Sequence, residues 1–234
     1  DRLGHKVSGS DDSIFEPSKS NLKNAGLLPS SLGWFPNKIN LEIDIVILGM
    51  HSKKDNPELL KAQNIGLNIQ SYPEFLSEIS KNKTKVVIAG SHGKTTITSM
   101  IIHVLKYHGV DIDFMVGAPQ VNVNETFVVS EKNNFILIEG DEYLSSPIDS
   151  KPKFLWYKPE IALISGIAWD HINVYPVFDQ YIEQFNSFIS SIRPGGVLIF
   201  NEQDKLLKEL VEKNSSLIKK IPYRISNFFV DKGI

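Results

Sequence analysis

The chain of 234 residues contains no cysteine, which excludes disulfide bonds and thiolate metal sites and fits a reducing cytoplasm. No apolar run approaches the roughly 20 residues that a membrane-spanning helix needs, and the first residues show no signal-peptide pattern. The net charge of −2 gives no electrostatic reason to expect binding to nucleic acid or to an anionic membrane. We therefore expect a cytoplasmic protein with neither kind of partner.

Apolar strand patterns alternate with amphipathic helical patterns along the chain, which predicts an α/β fold with parallel sheets. The segment 82–84 is the best linker, so we expect a domain at 1–83 and a second at 84–234. The first is expected to be Rossmann-like and N-terminally truncated, and the second a phosphate-loop ATPase domain that is C-terminally truncated. Strands are predicted at 6–10, 44–49, 66–71, 86–89, 114–118, 127–129, 134–139, 161–165, 197–200 and 223–230. Helices are predicted after residue 17, at 57–64, at 73–80, from the glycine-rich turn after residue 89 to about 107, at 178–192, and from 201–204 to about 211.

The strand at 86–89 runs into a glycine-rich turn and then a helical pattern, the order that a phosphate-binding loop requires. Lys94 can reach the outer phosphates of ATP, and the Thr95 hydroxyl can ligate Mg²⁺. The loop is irregular, because Ile88 stands where the first glycine of the common form would be. A plain turn between strand and helix is the alternative, but it requires neither Lys94 nor two threonines. The predicted ATP-binding residues are Gly90, Ser91, His92, Gly93, Lys94, Thr95 and Thr96.

Two later strands also end in polar side chains. Glu139 closes the strand at 134–139, and a carboxylate at a neighbouring strand tip is the usual Mg²⁺ partner of a phosphate loop. The alternative is a cluster of solvated acids at the start of a loop. Asp170 and His171 follow the strand at 161–165; His171 can ligate Mg²⁺ or donate to a phosphate, although imidazole is an unusual ligand for this ion.

The first domain carries two further candidates. Asp11 follows the predicted strand at 6–10, where an acidic residue of dinucleotide-binding folds meets a ribose hydroxyl. A turn or helix-capping Asp is an equally good interpretation. His51 follows the strand at 44–49, at the sheet edge where α/β proteins bind ligands, and a solvated loop histidine is its alternative.

Three ordered motifs together resemble the Mur ligases, the ATP-dependent enzymes of peptidoglycan precursor synthesis. Residues 90–96 are similar to the family's phosphate loop, Glu139-Gly-Asp-Glu142 to its Glu-Ala-Asp-Glu motif, and Asp170-His171 to its Asp-His pair. Residues 5–11 and 56–58 resemble the uridine-nucleotide domain of its muramate-binding branch. Folylpolyglutamate synthase, a related enzyme, is less similar, because its loop has Gly-Lys-Gly-Ser in place of Gly-Lys-Thr-Thr.

The resemblance implies that ATP phosphorylates the lactyl carboxylate of UDP-N-acetylmuramate and that an amine attacks the resulting acyl phosphate. It implies catalytic roles for Lys94, Glu139 and His171. Mg²⁺ would be held by Thr95, Glu139 and His171, and the UDP sugar would meet Asp11 and His51. The alternatives from other classes are a nucleotide-binding switch and a UDP-sugar-binding module, both without ligase activity.

The amine is expected to be the tripeptide L-Ala-γ-D-Glu-meso-diaminopimelate, because Glu142-Tyr143 and the segment 153–159 are similar to the branch that attaches it. The sibling branch, which attaches L-alanine, usually has Ser after that Glu. Two departures from the family pattern stand out. Ser165-Gly-Ile-Ala168 replaces a common Thr-Asn-x-Glu, and Asn186 sits near the carbamylated lysine of several members.

Overall fold

The computed structural model describes residues 4–118, 125–170 and 172–224. Residues before Leu76, together with Ser145–Ser150, form one unit, and the other residues form a second. The helices are α1 (Ser18–Asn24), α2 (Pro57–Asn64), α3 (Tyr72–Ile79), α4 (Lys94–Tyr107), α5 (Phe154–Tyr157), α6 (Phe178–Ser191) and α7 (Lys205–Lys213), with a short 3-10 helix at Pro36–Lys38. The strands are β1 (Val46–Leu48), β2 (Ile69–Ser71), β3 (Thr84–Ala89), β4 (Asp113–Met115), β5 (Phe127–Val128), β6 (Phe135–Glu139), β7 (Leu144–Ser146), β8 (Asp149–Pro152), β9 (Ile161–Ile164), β10 (Val197–Asn201) and β11 (Lys219–Tyr223).

In the first unit, β1 and β2 form a parallel pair. The helix α2 begins and ends where its pattern predicts, with Pro57 as its first residue. The side chain of Asn56 caps it by accepting hydrogen bonds from the backbone N–H groups of Glu58 (2.9 Å) and Leu59 (3.1 Å). Leu59 and Ala62 of this helix are buried, so the cap and one apolar face fix α2 in place.

The strand predicted at 6–10 is wrong, since these residues adopt no regular structure. A strand persists only where a neighbour completes its hydrogen-bond ladder, and among the described residues β1 pairs only with β2. The segment is tied down at its end instead, where the backbone N–H of Gly33 donates to the carbonyl oxygen of Asp11 (2.7 Å).

The second unit contains a seven-stranded sheet in the order β11-β10-β9-β3-β6-β4-β5. All neighbours are parallel except β5, which pairs antiparallel with β4 at the edge and lies within the strand predicted at 127–129. The strand β3 lies at the centre, between β9 and β6. Residues that follow β3 therefore lie beside the carboxyl ends of two other strands, which is where α/β sheets bind ligands.

The aromatic face of α6 is core, as its spacing predicts. Its residues Tyr181, Phe185 and Phe188 are fully buried. Phe154 of α5 stacks on Phe188 at 4.6 Å between ring centroids and meets Phe185 edge-on at 5.7 Å.

Within the described ranges, none of the helices has the length and apolar character of a membrane span.

The sequence did not predict the strands β7, β8 and β11, the helix α5 or the short 3-10 helix. The helix α5 is a single turn, which is too short to show a helical period. The strand β11 contains two lysines, which give a weak strand pattern, and Pro222, which within a sheet is confined to an edge strand or a bulge. The strand predicted instead at 223–230 falls almost wholly outside the described residues.

Lys85 of β3 is buried, with 2% of its surface exposed. Its ammonium donates to the carbonyl oxygen (3.0 Å) and the hydroxyl oxygen (3.1 Å) of Ser77. Burial, with a smaller contribution from the Arg193 charge, lowers the pKa of Lys85 from 10.5 to about 8. The unfolded chain therefore binds more protons than the folded chain between these two values, and stability rises with pH across that window.

We predict that Lys85→Met abolishes this rise, which should amount to about 3 kcal/mol in the free energy of unfolding. Urea unfolding measured from pH 7 to pH 10.5 checks it. The exposed Lys81→Met is the control and should leave the pH dependence of the wild type unchanged. Parallel curves for wild type and Lys85→Met would contradict the prediction.

Candidate nucleotide and metal site

The glycine-rich loop after β3 is held against the segment that follows β9. Gly90 has a φ of +123°, and a Cβ added there would lie 2.2 Å from the hydroxyl oxygen of Ser165 and 2.9 Å from its backbone nitrogen. The backbone N–H of Ser91 donates to the carbonyl oxygen of Gly166 (3.0 Å). Only glycine fits at position 90, because both the space and the backbone conformation exclude a side chain.

The helix α4 begins at Lys94, directly after Gly93, whose φ of 80° turns the chain into the helix. The first N–H groups of an α-helix have no intrahelical partner and carry partial positive charge. At the end of a glycine-rich loop, such groups form an anion site of the kind that binds phosphate. The side chains of His92 and Thr96 are exposed here, whereas that of Ser91 turns inward and is buried.

Lys94 is bent back over the loop. Its ammonium donates to the carbonyl oxygen of Gly90 (2.7 Å) and forms an ion pair with the carboxylate of Glu142 (3.1 Å). The Glu142 side chain is fully buried and that of Lys94 is 13% exposed. A buried carboxylate requires such a partner, because leaving it unpaired costs several kcal/mol.

Thr95 and Glu139 meet at the first turn of α4. The Thr95 hydroxyl donates to one carboxylate oxygen of Glu139 (2.7 Å), and the backbone N–H of Gly117 donates to the other (2.7 Å). The ladder between β3 and β6 sets this position, because it pairs Glu139 with Ile88, two residues before the loop. The hydroxyl and the carboxylate predicted to bind Mg²⁺ are therefore neighbours.

These residues fit Mg²⁺, which prefers oxygen ligands and is commonly held by one or two protein groups together with waters and substrate phosphates. Across 4–118, 125–170 and 172–224, the structure contains no group of three or more His, Asp or Glu side chains arranged as a metal cage. A small set such as Thr95 and Glu139 is what a phosphate-loop metal site uses. Asp170 is half-buried at the tip after β9, and His171 lies outside the described residues, so its metal contact stays a prediction.

The two candidates of the first unit share one cavity. Asp11 and His51 both line a pocket of about 760 Å³, bordered on one side by residues 7–16 and on another by residues 49–57. The Asp11 carboxylate also accepts a hydrogen bond from the backbone N–H of Ser13 (3.3 Å), which is the turn geometry of the alternative interpretation. The volume lies within the range of small-molecule sites.

Comparison with known protein families identifies both halves of the chain. Residues 88–230 match the Mur ligase middle domain, and residues 2–84 match the Mur ligase family catalytic domain. The chain belongs to the Mur ligase family. The resemblance seen in the three sequence motifs is thereby confirmed.

Several Mur ligases are similar to the chain. It is 30% identical over 209 residues to the UDP-N-acetylmuramate–L-alanine ligase of Carboxydothermus hydrogenoformans, a match that covers 89% of the chain and 43% of that protein. The structure of a murein peptide ligase from Psychrobacter arcticus superposes with a TM-score of 0.79 at 27% identity, over 95% of this chain and 48% of that one. The UDP-N-acetylmuramate:L-alanyl-γ-D-glutamyl-meso-diaminopimelate ligase of Neisseria meningitides superposes with a TM-score of 0.84 at 24% identity, over 94% and 71%. The chain spans less than half the length of the curated relatives that it matches first.

The structure accounts for one departure from the Mur ligase pattern, at Gly166. A Cβ on Gly166 would lie 2.9 Å from a carboxylate oxygen of Asp204. The same oxygen accepts a hydrogen bond from the backbone N–H of Ile167 (2.7 Å), and the other caps α7 at Leu207 (3.0 Å). Asp204 therefore occupies the space that the side chain of the family's Asn would need.

Asn186, which was expected near the place of a carbamylated lysine in several Mur ligases, holds two elements together. Its carbonyl oxygen accepts a hydrogen bond from the amide of Asn214 (2.9 Å), and its own amide donates to Glu183. Asn214 follows the last residue of α7. In this Mur ligase the position joins α6 to the end of α7.

Sequence reasoning missed two residues that contact the site. Glu142 was recognised as part of a motif and not as the partner of Lys94. The ring of Tyr181 lies in the core, but its hydroxyl lies 2.8 Å from the Ser91 hydroxyl and donates to Glu142 (3.0 Å). A tyrosine among phenylalanines on a buried helix face was the available signal, because a buried hydroxyl needs a partner.

We predict that Gly90→Ala lowers the free energy of unfolding of the second unit by about 3 kcal/mol or more, because it combines an unfavourable φ with a collision against Ser165. The control is Gly109→Ala, where φ is +69° and no atom lies within 4 Å of the added Cβ. That variant should cost about 1 kcal/mol, from the backbone conformation alone. Urea unfolding followed by tryptophan fluorescence measures both, and equal costs would show that the close approach at Gly90 is unimportant.

Proposed function

We propose that the chain forms the UDP-sugar-binding and ATP-binding parts of a ligase that joins an amine to the lactyl carboxylate of UDP-N-acetylmuramate. The observation that carries this proposal is the convergence of Lys94, Thr95 and Glu139 at the start of α4 in a member of the Mur ligase family. ATP would transfer its γ-phosphoryl group to the carboxylate, and the amine would displace phosphate from the acyl phosphate to give the amide.

Each residue of the second unit has a separate role in this proposal. Lys94 neutralises charge on the β- and γ-phosphates and on the acyl phosphate, while the backbone N–H groups of residues 90–96 orient the phosphates. Thr95 and Glu139 hold Mg²⁺, which supplies charge neutralisation on the phosphate oxygens. His171 is proposed as a ligand of a second metal ion, from the sequence motif alone. Most of the catalysis in such a transfer is positioning and electrostatic stabilisation.

We propose a boundary near residue 83 between a UDP-sugar domain and an ATP-binding domain, which the family matches at 2–84 and 88–230 support. The pocket that Asp11 and His51 line is proposed to receive UDP-N-acetylmuramate. Asp11 would accept hydrogen bonds from a ribose hydroxyl.

The tripeptide is the proposed amine substrate, supported by Tyr143 after Glu142 and by the similarity, at 27% identity, to the structure of a murein peptide ligase. L-Alanine is the second candidate, because the curated relatives at 30% to 34% identity are L-alanine ligases. Full-length enzyme with ATP, Mg²⁺ and UDP-N-acetylmuramate, offered each amine in turn, separates the two. Phosphate release that depends on neither amine would instead favour a nucleotide switch.

We predict that Lys94→Ala lowers the rate of amine-dependent phosphate release by the full-length enzyme at least about 1000-fold, because it removes the main positive charge from the phosphate site. Because Lys94→Ala also removes the ammonium beside the buried Glu142, the rates are compared at a temperature where circular dichroism shows both proteins folded. Lys106→Ala changes an exposed lysine at the far end of the same helix and should retain the wild-type rate. Activity retained by Lys94→Ala would refute the assignment.

We predict that Asp11→Asn and His51→Ala each weaken the binding of UDP-N-acetylmuramate about ten-fold, as expected for the loss of a hydrogen bond to a charged or polar group. Isothermal titration calorimetry of the full-length protein measures the dissociation constants. Asp44→Asn alters an exposed carboxylate outside the pocket and serves as the control. Wild-type affinity in both pocket variants would place the UDP sugar elsewhere.

A further inference from the structure

A directed chain of hydrogen bonds runs beneath the phosphate loop. The backbone N–H of Ala168 donates to the hydroxyl oxygen of Ser91 (2.9 Å), which lies 2.8 Å from the hydroxyl oxygen of Tyr181. Tyr181 in turn donates to one carboxylate oxygen of Glu142 (3.0 Å). Because the single hydroxyl proton of Tyr181 is given to Glu142, Ser91 must donate to Tyr181.

The three side chains of this hydrogen-bond chain are buried, which affects the protonation of Tyr181. The side chains of Tyr181 and Glu142 are fully buried, and Ser91 is 7% exposed. Burial is the largest cause that raises the pKa of the Tyr181 hydroxyl, and the neighbouring Glu142 charge raises it further. The raised pKa keeps the proton on the Tyr181 hydroxyl, which therefore remains a donor to the carboxylate.

Tyr181 and Lys94 bond to different oxygens of the Glu142 carboxylate. One accepts from Tyr181, and the other faces the ammonium of Lys94 at 3.1 Å. Lys94 also donates to the carbonyl oxygen of Gly90 (2.7 Å). The orientation of one buried carboxylate thus determines where the ammonium stands at the phosphate loop.

We propose that Tyr181 is a positioning residue of the nucleotide site, acting through the Glu142 carboxylate on Lys94. The inference rests on the proposed function, since it takes the loop to be an ATP site. Without the Tyr181 hydroxyl, the carboxylate loses a hydrogen bond that holds one of its oxygens away from Lys94. The ammonium is then held more closely by Glu142 and is less available to the β- and γ-phosphates.

The test is the affinity for Mg²⁺–ATP of the full-length protein, measured by calorimetry at a temperature where every variant is folded. Tyr181→Phe should weaken binding about five- to fifty-fold, the range expected when a hydrogen bond to a charged group is lost. Ser91→Ala removes hydrogen bonds between neutral groups and should weaken binding about two- to ten-fold. The double variant should bind Mg²⁺–ATP no more weakly than whichever single variant has the lower affinity, because both changes break the same chain of hydrogen bonds. Ser91→Ala keeps the proposal testable if Tyr181→Phe does not fold.

The matched control is Tyr175→Phe. Tyr175 is also buried, and its hydroxyl donates to the backbone carbonyl oxygen of Glu142 (2.6 Å) and not to the carboxylate. This variant should lose thermal stability as Tyr181→Phe does, yet stay within about two-fold of the wild-type affinity for ATP. An equal loss of affinity in the control would reduce Tyr181 to a structural role.

Two further outcomes overturn the proposal in distinguishable ways. If the wild type binds ATP and Tyr181→Phe binds it equally well, the positioning role is wrong while the proposed function stands. If the wild type itself binds no ATP, the proposed function fails and this inference fails with it. Additive losses in the double variant would show that Ser91 and Tyr181 act separately.

Discussion

The close approach of Gly90 to Ser165 is the constraint on which the site depends. In the central strands of a parallel sheet, the chain leaves β3, β6 and β9 at the same edge, and a loop between two of those tips has little room. A residue without a side chain lets the loop lie against the tip of β9 and enter α4 at once. The ladder then brings Glu139 beside the first turn of that helix. Displacement of the loop would therefore separate Thr95 from Glu139, however well each is placed on its own element.

Charge at the site is arranged around a buried acid. Glu142 is removed from solvent, and Lys94 offsets its charge while remaining near the loop. Such a pair contributes little net stability, since the desolvation of both ions opposes their attraction. Its consequence is geometric: the long side chain of Lys94, which would otherwise move freely in water, has one preferred place. A phosphate-binding lysine that is already ordered loses less conformational entropy when a nucleotide arrives.

Much of the fold and the geometry of the candidate phosphate loop could be predicted from the sequence, because both depend on local patterns. The apolar run before Gly90, the proline that opens α2 and the aromatic spacing of α6 each determine their element through short-range rules. The prediction of a strand at 6–10 was wrong because a strand needs hydrogen bonds to a neighbouring strand, and a local sequence pattern does not show whether that neighbour is present. The same reason hid Glu142 and Tyr181, since their meeting depends on how β6 and α6 pack against each other. Motif matching named the acid, but only the packed structure shows what it touches.

At both departures from the family pattern, polar side chains of this chain form hydrogen bonds that tie neighbouring elements together. The Asp204 carboxylate lies close to Gly166, which has no side chain, and accepts hydrogen bonds from the backbone of Ile167 and from the first turn of α7. Asn186 likewise holds the end of α7 through Asn214 where other members carry a charged modified lysine. In both cases a buried backbone or amide group has a hydrogen-bond partner, which a simple deletion would not provide. The substitutions are therefore coupled to their surroundings. Restoring Asn at position 166 alone would collide with Asp204 before it could regain any role in catalysis.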